Sequence, residues 1–367
     1  MSNEENNIIL TGDRPTGALH IGHFAGSLSS RVRLQETGKY EMYVMIADLQ
    51  ALTDNAENPE KIRQSILELI LDYLAVGLDP QRANFLVQSH VKALTELPMY
   101  YSNLVTMARL ERNPTVKQEI RQKGFGHNLP VGFITYPISQ SADITAFRAK
   151  YVPCGDDQLP MIEQAREIVS AFKRIYRCNV LVEPQAILPE RSTCFRLVGT
   201  DGAGKMSKSL NNCIYIKDDE KTTREKVMGM FTDPLHISVS DPGHTENNPV
   251  FMYLEAFSTN EHFAEYLPEY KNIEEMKQHY EKGGLGDMKC KKFLTQVLNE
   301  TFSSIRKRRL EYAKDKGELL NILKKGTEKA QEVTEETLSM VRNAIGINYF
   351  EDSGFIDKFV KNVRPKE

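Results

Sequence analysis

The chain has 367 residues, 40% of them hydrophobic and 26% charged, which suits one large domain plus a smaller one and excludes a disordered or fibrous protein. A formal net charge of −3 excludes a global positive field, so any nucleic-acid contact has to come from a local basic face. The acidic start MSNEENNIIL is neither a secretion nor a transit signal, and no run of about 18 apolar residues follows, so a cytoplasmic protein without a membrane span is expected.

The first half alternates strand-like and helix-like pieces, the pattern of an α/β fold with a parallel sheet. Asn7 to Thr11 reads as a buried strand. A loop with Gly12, Pro15 and Gly17 leads to a helix from Gly22 to Gln35, closed by Gly38. Glu41 to Ala47 is the next strand. The helix after it has Asn58 as cap, Pro59 in its first turn, and Ile62, Ile66, Leu69, Ile70 and Tyr73 at helical spacing up to Gly77. Phe85 to Gln88 is a third strand, and Thr95 opens a helix through Met99 and Leu104 towards Leu110.

Asn113 to Gly132 is polar and contains Gly124 and Gly126, as a mobile or partner-contacting insertion would. A helix around Pro137 to Phe147, a strand Tyr151 to Cys154, a helix Gln158 to Phe172 and a strand Asn179 to Val182 follow. After Ile216 strand signals thin out and Val250 to Phe257, Cys290 to Leu298 and Glu318 to Leu323 read as helices. Arg306, Lys307, Arg308 and Arg309, with Lys324 and Lys325, give this part a basic face or an ordinary solvated helix surface. Cys154, Cys178, Cys194, Cys213 and Cys290 are odd in number and form no Cys-x-x-Cys pair, so reduced thiols and no protein-bound structural metal are expected.

Two separated segments carry the chemistry. The first runs from Thr11 to His23, between the first strand and the helix start, where unpaired N–H groups and the helix dipole favour phosphate. Gly22 lets a base or ribose approach the backbone, and His20 and His23 can donate hydrogen bonds where charge grows on a phosphate under attack. The second runs from Gly199 to Ser209. Its Gly-x-x-x-x-Gly-Lys core imitates a P-loop, but Met206 stands where a magnesium-binding Ser or Thr is required, and Leu210-Asn211-Asn212 does not continue as an apolar helix. What remains is a glycine-rich loop presenting Lys205 and Lys208 between Ser207 and Ser209. Such a loop can close over a triphosphate.

Together the segments resemble the HIGH and KMSKS signatures of class I aminoacyl-tRNA synthetases, spelled here by His20-Ile21-Gly22-His23 and Lys205-Met206-Ser207-Lys208-Ser209. Further segments resemble the tryptophanyl-tRNA synthetase family, bacterial type: Thr11 to Gly17, Ala47 to Thr53, Leu110-Glu111-Arg112, Thr135 to Ile144 and Val152 to Gln158. The likeness spans Ile8 to the final helix. It implies a Rossmann-like catalytic domain at 1–216, with an insertion at 84–132 forming a homodimer interface. It also implies a smaller all-helical anticodon-binding domain at 217–367 whose last helix packs back on the first domain.

An indole offers one N–H donor and no acceptor, so a selective pocket needs an apolar slot ending in an acceptor. The resemblance places Asp143 at that N–H, Tyr136 and Gln158 at the α-ammonium, and Leu10, Val152 and Cys154 along the ring. Gln140 stands where many relatives have Met. ATP, arriving with Mg2+, falls to Gly12, Arg14, His20, Gly22, His23, Gly155, Asp157, Lys205, Met206, Ser207 and Lys208, with the two histidines and two lysines catalytic. The partners implied are L-tryptophan, ATP, tRNA(Trp) and a second copy of the chain. A tyrosyl-tRNA synthetase, which also holds its substrate through an Asp, usually has a Gly-Ser-Asp-Gln-Trp-like segment in place of Gly155-Asp156-Asp157-Gln158-Leu159. A non-catalytic tRNA-binding relative would show damage in a signature, and a small-metabolite adenylyltransferase would have no use for a basic helical domain.

Overall fold

The computed structural model describes residues 6–125, 128–188, 197–204, 206 and 208–363. Five strands, β1 (Ile8–Asp13), β2 (Glu41–Ile46), β3 (Ala83–Val87), β4 (Tyr151–Pro153) and β5 (Gln185–Ile187), form one parallel sheet in the order β3-β2-β1-β4-β5. The apolar runs of β1 to β3 follow from burial on both faces, as parallel sheets require. Ile9, Met42, Val44, Ile46 and Phe85 point into one core, with the Pro59–Val76 helix; Leu10, Tyr43, Met45 and Leu86 point into the other, with the Val131–Ala146 and Leu159–Tyr176 helices. Strand order reverses between β1 and β4, and the carboxyl ends of those strands open a crevice.

Local signals explain the helix ends. The Asn58 side chain accepts from Lys61 N–H at 3.2 Å to start Pro59–Val76, and Gly77 at φ 112° ends it in the left-handed region. The helix after β1 carries a π-turn over Phe24–Leu28 between Ile21–His23 and Ser29–Glu36.

Four expectations are corrected. The Thr95 to Leu110 helix is two, Ala93–Tyr101 and Met107–Arg112, because Thr106 leaves helical geometry and caps the second through Arg109 N–H. The Asn113 to Gly132 stretch is not a plain loop. Asn113 caps a helix Pro114–Lys123, and the next one begins at Val131. No strand forms at Asn179 to Val182. Pro184 has no N–H for a ladder, and pairing with β4 starts only after it, at Gln185. The arginine cluster is not a free basic face: Arg308 donates to Ala75 O at 2.7 Å, Arg309 to Asp72 and Glu68, and Arg306 to Thr223 and Asn299. Lys307, Lys324 and Lys325 stay exposed.

Beyond β5 the described residues hold helices and no strand. The Asp287–Tyr312 helix packs on Pro59–Val76, joining this half to the first core. The Lys316–Ile345 helix lies along the outer edge of β3. Thr327 Oγ1 accepts Val87 N–H at 3.1 Å, and a Cβ at Gly326 would meet Phe85 O at 2.1 Å. Its first half (Leu319, Ile322, Leu323) enters one core and its second (Ala330, Leu338, Val341) the other. The final helix, Ser353–Val363, is exposed at all of residues 353–360. No helix among the described residues is long and apolar enough to cross a membrane.

Candidate active site

β1 ends against β2 so closely that a Cβ at Gly12 would lie 2.1 Å from Met45 O. The chain then loops to His20, which caps the Ile21–His23 turn in extended geometry. Leu19 N–H is held at 2.7 Å by the buried Asp72 carboxylate. His20 N–H donates to His23 Nδ1 at 3.2 Å, so the neutral His23 ring carries its proton on Nε2, which is then a donor. The two rings lie 3.8 Å apart.

Burial pushes His20 down to about 2 and His23 down to about 4, each lowered further by the other's ring or by the Lys208 charge. Both imidazoles are therefore neutral at working pH and act as hydrogen-bond groups, not cations. His20 Nδ1 is buried without a partner among the described residues. Behind them Arg31 Nη1 meets Asp13 Oδ2 at 2.6 Å and Tyr73 O–H donates to the same oxygen at 2.8 Å. Burial alone would raise Asp13, but the Arg31 charge and these hydrogen bonds hold it down at about 2.

The second segment comes to the same place. Ile21 N–H donates to Ile214 O at 2.9 Å, Ile216 N–H to Leu19 O at 3.0 Å, and His20 forms an antiparallel bridge with Tyr215. Met206 is buried, and a Cβ on Gly22 would sit 3.3 Å from its sulfur and 2.9 Å from His20 Nδ1. Only glycine fits between the two signatures. Lys208 Nζ donates to Gly17 O at 2.8 Å, and burial brings its pKa down to about 8. Lys205 and Ser207 lie outside the described residues.

A cleft of about 400 Å³ opens at the β1/β4 reversal. Leu10, Gly12, Arg14, His20, Gly22 and His23 line it from the first strand, loop and helix start, and Val152, Cys154, Gly155, Asp157 and Gln158 line it from β4 onwards. Tyr136, Gln140 and Asp143 enter from the Val131–Ala146 helix. Met206 and Lys208 do not line it; they stand at its margin, against Gly22 and Gly17.

One end of the cleft is polar. Tyr136 O–H donates to Glu119 at 2.8 Å, Gln140 to Gln158 at 3.1 Å and Gln158 to Asp157 at 3.2 Å. Burial pushes the Cys154 thiol up to about 12, so it stays neutral. Asp143 is fully buried and accepts from Gln88 and Gln50. Gln50, Gln88, Glu119, Asp13 and Arg31 were not singled out by the sequence. Gln50 lies in the Ala47 to Thr53 segment, and Asn113-Pro114 was a readable start for the helix that carries Glu119.

A parallel sheet whose strand order reverses at a crevice, with a neutral histidine pair in it and Lys208 beside it, has the layout of a nucleotide-binding α/β fold. A family model for tRNA synthetases class I (W and Y) matches residues 2–303, and the chain belongs to that family. Its relatives include the tryptophan–tRNA ligase of Streptococcus pneumoniae, 57% identical over 94% of this chain and 98% of that one, and that of Clostridium longisporum, 58% identical over the same shares. A tryptophanyl-tRNA synthetase from Campylobacter jejuni, solved with ADP and tryptophan, superposes with a TM-score of 0.75 at 31% identity, covering 92% of this chain and 99% of that one.

Proposed function

We propose that the chain is a tryptophan–tRNA ligase. The tryptophan carboxylate attacks the α-phosphate of Mg·ATP, and the bond to the leaving pyrophosphate breaks. The resulting tryptophanyl adenylate then passes its acyl group to the terminal ribose of tRNA(Trp), releasing AMP. The observation that carries this reading is the buried Asp143 acceptor in a cleft lined by apolar Leu10, Val152 and Cys154, which also holds the neutral His20 and His23. The slot suits an indole ring and the acceptor suits its N–H.

Tyr136 and Gln158 hold the α-ammonium in this reading, with Glu119 behind Tyr136 adding negative charge at that end. Gly12, Arg14, Gly22, Gly155, Asp157 and Met206 surround the nucleotide. His23 Nε2–H and His20 donate to the phosphate oxygens as charge grows. Lys205, Ser207 and Lys208 act when their loop closes over the triphosphate. Mg2+ arrives on ATP, as part of the substrate complex.

Residues 217–367 serve as the anticodon-binding domain. The chain forms a homodimer through 84–132, supported by the exposed apolar side chains of Met99, Met107 and Val131, and works in the cytoplasm. ATP–pyrophosphate exchange run with each of the twenty amino acids tests the reading. Exchange with tryptophan alone is expected, and equal exchange with tyrosine would defeat it. Light scattering of the free protein tests the dimer.

A further inference from the structure

Asp143 is a carboxylate whose hydrogen-bond donors are amides. The Val131–Ala146 helix carries it into the cleft, where Gln88 Nε2 lies 2.8 Å from Oδ1 and 2.9 Å from Oδ2, and Gln50 Nε2 lies 2.8 Å from Oδ2. Gln50 comes from the Asp48–Leu52 helix after β2, and Gln88 from the turn that closes β3. Gln88 is wholly buried and does not line the cleft, so it has no access to substrate. Its amide also cannot turn over. Oε1 accepts Gln50 N–H at 3.3 Å, and a flipped amide would set oxygen against the carboxylate and N–H against N–H.

Donor counting gives the consequence. Oδ2 takes two contacts and Oδ1 one, so the spare acceptor capacity is greatest on Oδ1. A carboxyl buried this deeply tends to take up a proton, and a protonated carboxyl can donate as readily as accept. It would then lose its preference for a ring that brings an N–H.

We propose that Gln88, with Gln50 as a second clamp, is a positioning residue that keeps Asp143 an acceptor-only carboxylate with one oxygen open to the substrate N–H. Through Gln88, selectivity for an N–H-bearing ring is thus set one layer behind the side chain that touches it, while Gln50 stands in the cleft wall beside Asp143. This rests on the reading above, in which Asp143 receives the indole N–H. Burial pushes the Asp143 pKa up to about 7, the Gln88 and Gln50 hydrogen bonds oppose that rise, and the Asp48 charge adds to it. Without the clamps, the balance tips towards the neutral acid.

The test compares L-tryptophan with β-(3-benzothienyl)-L-alanine, in which sulfur replaces the ring N–H, by ATP–pyrophosphate exchange at pH 8. The proteins are the parent, Asp143→Ala, Gln88→Met and Gln88→Glu. The parent should prefer tryptophan strongly, and Asp143→Ala should abolish that preference. Gln88→Met should cut it about tenfold, the scale of one hydrogen bond to a charged group, through KM with kcat nearly unchanged. Gln88→Glu, the same shape with acceptor facing acceptor, should lose the preference at pH 8 and regain part of it at pH 6, where a shared proton restores one hydrogen bond. A Gln88→Met protein that melts like the parent and keeps the full preference overturns the proposal. So does an equal loss for both rings with the ratio intact, which would mark Gln88 as structural only. Undiminished preference in Asp143→Ala would instead defeat the reading on which the proposal rests.

Discussion

Arg309 Nε lies 2.7 Å from Asp72 Oδ1, while Asp72 Oδ2 holds Leu19 N–H at 2.7 Å. One buried carboxylate thus couples the Asp287–Tyr312 helix to the loop that presents His20. Arg309 also reaches Glu68 Oε2 at 2.8 Å. Arg309→Met should cost about 3–5 kcal/mol of stability, because a wholly buried carboxylate loses its cation. Urea denaturation monitored by circular dichroism measures the loss. An unchanged midpoint would mean the pair ties nothing down.

The histidine pair should be invisible in the pH profile. Burial, reinforced by neighbouring positive charge, depresses His20 to about 2 and His23 to about 4, so neither gains a proton between pH 5.5 and 8. The kcat of adenylate formation should stay level from pH 5.5 to 7, below the range in which Lys208 loses its charge. His23→Ala, which removes the Nε2–H donor, should lower kcat roughly a hundredfold. An inflection near pH 6.5 in the parent, absent in the variant, would contradict neutral donors.

Tryptophan affinity should behave differently. Burial sets Asp143 near 7, with the Gln88 and Gln50 amides opposing the rise and Asp48 the charged neighbour adding to it. The carboxylate is ionised above that pH and takes a proton below it, so acceptor character fades as pH falls through 7. KM for tryptophan should therefore rise on the acid side while kcat stays level. A KM constant from pH 8 to 5.5 would show that the acceptor does not titrate there.

Lys208 rests on Gly17 O, and burial lowers its pKa to about 8. Its charge is present below that pH and fades above it, so kcat/KM for ATP should decline as pH rises through about 8. Lys208→Ala should slow adenylate formation at least about tenfold and leave tryptophan binding nearly unchanged. Stopped-flow adenylate formation and equilibrium dialysis check the two halves separately, and normal adenylate formation would remove Lys208 from the chemistry.

The features legible in the chain were those with a local physical cause. β1 to β3 stand out because strands buried on both faces leave unbroken apolar runs, and Asn58, Pro59 and Gly77 mark a helix by capping chemistry alone. The His20 to His23 loop is readable for the same reason, since chemistry and turn geometry share four residues. β5 is only Gln-Ala-Ile, with no apolar run of its own, and it pairs because β4 lies beside it. The Gln88 and Gln50 clamps stand 55 and 93 residues from Asp143, and no local pattern links them. The arginines at 306, 308 and 309 misled because charge spacing does not tell whether water or an acceptor of the protein, a carbonyl, an amide or a buried carboxylate, receives each one.

The Lys316–Ile345 helix has a consequence for how the protein is made. A ribosome delivers every strand of the sheet well before this helix, so β3 emerges with its outer N–H and C=O groups, Val87 N–H among them, open to any passing extended chain. Until this helix has left the ribosome, the young sheet is a template without a cover, and chaperone protection has its greatest value in that interval.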